Sequence, residues 1–133
     1  MSVVFADTHY FLAQFNPEDQ DHAKAAAFTQ SFHGRMLTTD WIIVELADAF
    51  ARQPNRAIFI AIYRSLLTSG ELVIVPADRT LLQAGISLYA QRPDKEWSLT
   101  DCISFAVMQR EAITEALTAD RHFEQAGFTV LLR

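Results

Sequence analysis

The chain is 133 residues long, half of them hydrophobic and one fifth charged, which is about one domain's length with enough apolar material for a core. Four glycines and four prolines are too few for disorder or low complexity, and a single cysteine, Cys102, excludes an intramolecular disulfide and a cysteine-cluster zinc site. A formal net charge of −5 leaves no lysine and arginine surplus to attract a polyanion over distance, which disfavours a generic nucleic-acid binder.

Ser2-Val3-Val4-Phe5-Ala6 is a near-continuous apolar run of strand length that ends abruptly in Asp7-Thr8. Strands apolar on both faces belong to parallel sheets covered by helices, and such sheets bind ligands outside the carboxyl ends of their strands. Asp7 therefore falls where an active site is expected. A short helix from Thr8 to Phe15 follows, then a break at Asn16-Pro17 and a small-residue helix from Asp21 to Phe32, stopped by His33-Gly34. Met36-Leu37-Thr38 reads as a second strand. Thr39 or Asp40 caps a helix from Trp41 to Arg52 that carries Glu45 one turn in.

Pro54-Asn55 restarts a helix through Ile58, Ile62, Leu66 and Leu67, and Ser69-Gly70 ends it. Leu72 to Val75 is a third buried strand closed by Pro76. Asp78 or Thr80 opens a helix that ends near Arg92-Pro93. A polar loop, Asp94-Lys95-Glu96, leads into Trp97-Ser98-Leu99-Thr100-Asp101 and a helix through Met108. Glu115 to Thr118, Ala119 to Ala126 and Thr129 to Leu132 read as strand, helix and strand. Strands alternate with helical patterns throughout, so the expected fold is a single α/β domain over residues 1–133, with a mostly parallel sheet of about five strands flanked by helices.

On this reading four acids, Asp7, Glu45, Asp101 and Asp120, fall at equivalent places and can meet at one edge of the sheet. Carboxylates without histidine or cysteine partners suit hard, oxygen-preferring cations such as Mg²⁺ or Mn²⁺, and such ions activate water and neutralise a phosphodiester. A metal-dependent nuclease is thus compatible with an acidic chain, because bound cations reverse the sign of the site. Their mutual repulsion should raise at least one pKa in the metal-free site. Local roles compete for each acid taken singly: Asp7 and Asp120 can cap helices, Ser98 to Asp101 matches a capping box, and a glutamate within a helix is ordinarily solvated. Caps explain the acids separately and do not predict that they share an edge.

Asp7-Thr8 before an apolar helix, Asp21-His22, Glu45 in an apolar helix, Ser98 to Met108, and Thr118-Ala119-Asp120-Arg121-His122-Phe123 ending in Ala126-Gly127-Phe128 together resemble the PIN domain. The likeness spans essentially the whole chain and is closest to VapC-type toxins of bacterial toxin–antitoxin pairs. The resemblance implies a Mg²⁺-dependent endoribonuclease in which Asp7, Glu45, Asp101 and Asp120 take the places of the family's acids. Thr8, Ser98 and Thr100 would be neighbouring hydroxyls able to hold metal-bound water. An RNA substrate, a cognate antitoxin protein and a homodimer are the implied partners. In the resembled toxins the early helices also line an antitoxin groove, which here would draw on Phe11, Phe15, Phe50, Phe59 and Tyr63, residues that the core can equally claim.

The remaining chemistry-bearing residues read as structural. His9, His22, His33 and His122 contain no i, i+4 pair suited to zinc. His122 can touch substrate or serve the helix start. Cys102 reads as a small core residue. Arg92, Lys95 and Arg121 are the nearest cations and need no explanation beyond solvation. No glycine-rich loop follows a strand, which counts against a nucleotide-binding α/β domain. A nuclease of RNA processing or decay and a catalytically silent binding module are the other readings of this fold. The N-terminus lacks a signal peptide's features, and no apolar run approaches the roughly 18 residues of a spanning helix, so a soluble cytoplasmic protein without membrane contact is expected.

Overall fold

The computed structural model describes residues 2–133. Five strands, β1 (Val3–Ala6), β2 (Arg35–Thr39), β3 (Leu72–Val75), β4 (Glu115–Leu117) and β5 (Thr129–Val130), alternate with seven helices. These are α1 (Thr8–Phe15), α2 (His22–Ser31), α3 (Asp40–Ala49), α4 (Asn55–Thr68), α5 (Arg79–Gln91), α6 (Leu99–Arg110) and α7 (Arg121–Gln125). The strands form one sheet in the order β3-β2-β1-β4-β5, and every neighbouring pair is parallel. The expected α/β architecture is present, and the sheet is parallel throughout. No helix among the described residues is long and apolar enough to cross a membrane.

The apolar first strand lies at the centre of the sheet, with Val4, Phe5 and Ala6 essentially inaccessible. Succession runs outward from β1 in one direction through β2 and β3, then resumes on its other side with β4 and β5. Where the order reverses, the loops leaving β1 and β4 diverge and open a crevice at their carboxyl ends. Asp7 follows β1 and Asp120 follows β4, so chain topology alone brings these two acids to that crevice. Behind it, Phe105 of α6 packs edge-on against Phe123 of α7 at 4.9 Å between ring centroids, and Phe123 lies 6.2 Å from Phe5 of β1. This aromatic column joins the three elements adjoining Asp7, Asp101 and Asp120.

Several boundaries differ from the pattern in the sequence, for local reasons. The third helix ends at Ala49 instead of Arg52: Pro54 lacks an N–H and disfavours helical geometry at Gln53, while the Phe50 N–H already closes the last turn on Ala47 and Asp48. The last helix begins at Arg121 because the Asp120 side chain accepts from the His122 N–H and caps it, leaving Ala119 outside. β5 stops at Val130, although Leu131 still donates to Ala116 of β4 and Leu132 to Thr118 just past its end.

Helix α5 lies closely on α6 because Gly85 has no side chain at the contact. A Cβ there would stand 2.3 Å from Ile103 Cγ1 and 3.2 Å from the Ile103 backbone. Since α6 carries Asp101, this contact also sets the position of that acid. Gly85→Ala is expected to destabilise the fold by about 1–3 kcal/mol through overpacking, read as a lower urea midpoint; an unchanged midpoint would show that the two helices have slack.

Candidate metal centre

The sequence places Asp7 at the end of a strand whose neighbours on both sides fix it. Its N–H donates to the Leu117 carbonyl of β4, and its carbonyl accepts from the Tyr10 N–H in the first turn of α1. Thr38 of β2 donates its hydroxyl to the preceding carbonyl, Ala6, at 2.8 Å. Asp7 is the N-cap residue of α1, yet its side chain makes no capping hydrogen bond. Its carboxylate instead accepts from the buried Thr118 hydroxyl at 2.9 Å, and the same hydroxyl oxygen accepts the Asp120 N–H at 3.1 Å. One threonine thus orients Asp7 and holds the loop that carries Asp120. Capping does not explain Asp7.

The other acids combine capping with membership of the site. Ser98 and Asp101 form the expected capping box: the Asp101 N–H donates to the Ser98 hydroxyl at 3.0 Å, and Asp101 Oδ2 accepts the Ser98 N–H at 3.2 Å. Asp101 Oδ2 also lies 3.1 Å from His122 Nδ1, which is 3.6 Å from Asp120 Oδ1. Ligand atoms of Asp101, Asp120 and His122 all lie within 4.8 Å of one another. Glu45 enters from α3 and accepts the Thr8 hydroxyl, so that hydroxyl is already committed to positioning a carboxylate.

These side chains line a cleft of about 620 Å³. Asp7, Glu45, Asp101 and Asp120 all reach it, together with Thr8 and Ser98; Thr100 is not among its lining residues. The structure adds members that sequence reasoning did not assign to the site. His122 is one, and its only prior signal was a position two residues beyond Asp120. His9 and Asp21 are a second pair, joined at 2.8 Å on the rim of the cleft, across a sequence separation that no periodicity reveals. A third is Thr118, buried at the end of β4.

Behind the cleft, the Trp97 indole N–H donates to Gln125 Oε1 at 3.0 Å, tying the segment before Ser98 to α7. Trp97 also packs edge-on against Phe105 at 5.1 Å. The clamp fixes the start of α6 relative to α7, and hence Asp101 relative to Asp120 and His122.

Six carboxylates line the cleft, Asp7, Asp21, Glu45, Glu96, Asp101 and Asp120, and no lysine or arginine does. Asp7 is 6% exposed. Burial pushes its pKa up to about 7, the Thr118 hydrogen bond opposes the rise, and the charges of Asp101 and Glu45 add to it. Burial likewise raises Asp101, helped by the charge of Asp120 and opposed by hydrogen bonds from Ser98 and His122. Repulsion among the acids therefore acts as expected but is the smaller cause; desolvation leads. A buried carboxyl crowded by other carboxylates and lacking a cationic neighbour is a donor set that fits a divalent, oxygen-preferring cation.

The raised pKa fixes the direction of a pH effect. Folded Asp7 retains a proton that the unfolded chain, with an ordinary value of 3.8, has already lost. The metal-free fold therefore loses stability as pH rises from about 4 to about 7, by up to about 1.4 kcal/mol per pH unit for this group, and the penalty is complete above that window. Asp7→Asn removes this slope, so in EDTA at about pH 8 the variant is expected to be more stable than the wild type. Urea unfolding at about pH 5 and pH 8 measures it; a variant less stable at the higher pH contradicts a buried Asp7 carboxylate as the cause.

The PIN domain family profile matches residues 4–129. The 23S rRNA-specific endonuclease VapC20 of Mycobacterium tuberculosis is 28% identical over 127 residues, covering 95% of each chain. The crystal structure of VapC20, described as a Sarcin-Ricin loop cleaving toxin, superimposes with a TM-score of 0.87 at 25% identity, covering 96% of this chain and 97% of that one. FitAcB from Neisseria gonorrhoeae has a TM-score of 0.69 at 20% identity, covering 96% of each chain, and shares the fold. With its parallel sheet, its acids gathered at the carboxyl ends of β1 and β4 and this match along nearly all its length, the chain belongs to the PIN domain family.

Proposed function

We propose that the chain is a metal-dependent endoribonuclease and the toxin of a toxin–antitoxin pair, with residues 1–133 forming a PIN domain. The observation that carries this reading is the buried Asp7 carboxyl, gathered with Glu45, Asp101 and Asp120 in a cleft that no lysine or arginine lines. Asp7 and Asp101, with Glu45 and Asp120, would hold Mg²⁺ or Mn²⁺. When bound, such ions activate water and neutralise the charge that develops on a phosphodiester. The protein's own part is to aim its donors: Thr118 orients Asp7, Thr8 orients Glu45, and the capping box with His122 orients Asp101. Ser98 stands beside them, its hydroxyl oxygen engaged by the Asp101 N–H.

RNA is the favoured substrate because the curated relative matched along the whole chain is an RNA endonuclease. Its target makes large-subunit ribosomal RNA the first substrate to try. For the antitoxin, the fitting surface is the cavity of about 200 Å³ where Phe11, Phe15, Phe32, Met36, Leu66 and Leu72 converge among polar residues such as Gln14 and Glu71. Phe50, Phe59 and Tyr63 pack on the core beyond it. A homodimer belongs to the same reading, with Val44, Ile58 and Ile60 supplying exposed apolar area. A cytoplasmic location follows from the substrate.

RNA cleavage by the wild type in Mg²⁺ or Mn²⁺ should disappear in EDTA and fall by at least about a hundredfold in Asp7→Asn and in Asp101→Asn. In cells, induced expression should arrest growth, and co-expression of the adjacent gene should relieve the arrest. Cleavage that persists equally in wild type and both variants would sink the metal-site assignment.

A further inference from the structure

A second groove, of about 990 Å³, opens beside the carboxylate cleft and shares Glu96 and Ser98 with it. It runs between the end of α5 and the start of α6, and its character is unlike the cleft's. Arg92 and Lys95 line it together with Glu96, whereas no lysine or arginine lines the cleft. Arg92 is held in place: its guanidinium lies 5.1 Å from the centre of the Trp97 ring and makes two hydrogen bonds to Asp94, at 3.0 and 2.9 Å. Tyr89 also lines the groove and is 55% exposed, a large aromatic side chain presented to solvent at the end of a helix.

We infer that this groove binds the single-stranded RNA segment flanking the bond to be cut, with Tyr89 as a stacking platform for a base and Lys95 facing its phosphates. The inference rests on the nuclease reading and deepens it. A polyanion approaching a cleft of six carboxylates is repelled least where the lining is not acidic alone, and the path past Ser98 is such a route, with Lys95 beside Glu96 and Arg92 matched by Asp94. Aromatic side chains beside cationic ones along a groove are the common means of holding single strands, because every base has a face to stack and every nucleotide a phosphate. A double helix would keep its base faces stacked internally and leave Tyr89 without a partner. A second copy of the chain is the rival occupant, but Tyr89 and Ile86 are the large exposed apolar side chains in the groove, and a stable interface usually needs about 800 Å² from each partner.

The test measures binding of a short fluorescent single-stranded oligoribonucleotide of mixed sequence in the Asp7→Asn background, which keeps the RNA intact. Tyr89→Ala should weaken binding about tenfold, while Tyr89→Phe stays within about twofold of the parent. Lys95→Ala should flatten the dependence of log affinity on log salt by about 0.7, and Lys95→Arg should restore it. With Asp7 intact, none of the four substitutions should change Mn²⁺ affinity. Binding of RNA by Tyr89→Ala and Lys95→Ala as tight as that of the parent overturns the proposal. So does a loss of RNA binding that follows only from conversion of a dimer to a monomer in sedimentation, since the groove then belongs to a second copy. A wild type that holds RNA through Tyr89 and Lys95 but cuts none in Mg²⁺ or Mn²⁺ sinks the nuclease reading and leaves the groove standing. One that cuts, with variants that bind as the parent does, sinks the groove alone.

Discussion

The hydrogen bond from the Thr118 hydroxyl to Asp7 spans 111 positions of sequence and joins the ends of β4 and β1 inside the fold. Without it, a carboxyl that is 6% exposed at the tip of the central strand would have no side-chain donor. With it, Asp7 is oriented but still incompletely compensated, because one hydroxyl offsets only part of the cost of removing a charge from water. The protein resolves the remainder by letting Asp7 keep its proton until the pH reaches about 7. A divalent cation, if held there as proposed, would resolve it differently, by replacing the proton with charge. The cost of a buried acid without a cationic partner and the proposed affinity for a cation are thus two aspects of one arrangement.

The other acids are held by devices that serve the fold as well. The capping box that starts α6 fixes the Asp101 carboxylate, and the N-cap of α7 is Asp120. Phe105 and Phe123, one turn beyond Asp101 and Asp120, bury against each other and against Phe5 and Trp97. Packing at the back of the site therefore sets donor positions at the front, and Gly85 extends that control to α5 through its contact with Ile103. The positions of these carboxylates follow from residues that do not themselves line the cleft.

The sequence made the ladder of elements legible because each strand is a short apolar run and each helix keeps its period. It also made four of the acids legible: Asp7 and Asp120 because topology delivers residues that follow parallel strands to one edge, Glu45 and Asp101 because each falls in the first turns of a helix. Asp7 is the clearest case: capping competed with a place at the shared edge, and the structure sets its side chain on Thr118, with no capping bond to the helix. Partners across the fold were not legible. Nothing near Trp97 announces Gln125, nothing near His9 announces Asp21, and His122 gives no sign that its ring turns toward Asp101. Periodicity assigns a residue to a face, whereas these contacts depend on how separate elements lie against each other. Thr100 shows the same limit in reverse, since adjacency to Asp101 in sequence does not bring it to the cleft.

The central claim is that a cation displaces a proton held by the buried Asp7 carboxyl. Titration calorimetry with Mn²⁺ at about pH 6.5, in two buffers of different ionisation enthalpy, counts the protons released on binding. The account predicts release of a substantial fraction of a proton from the wild type, shrinking toward zero above about pH 8 and largely absent in Asp7→Asn. Tight Mn²⁺ binding with the same apparent enthalpy in both buffers, or release undiminished in Asp7→Asn, would contradict it.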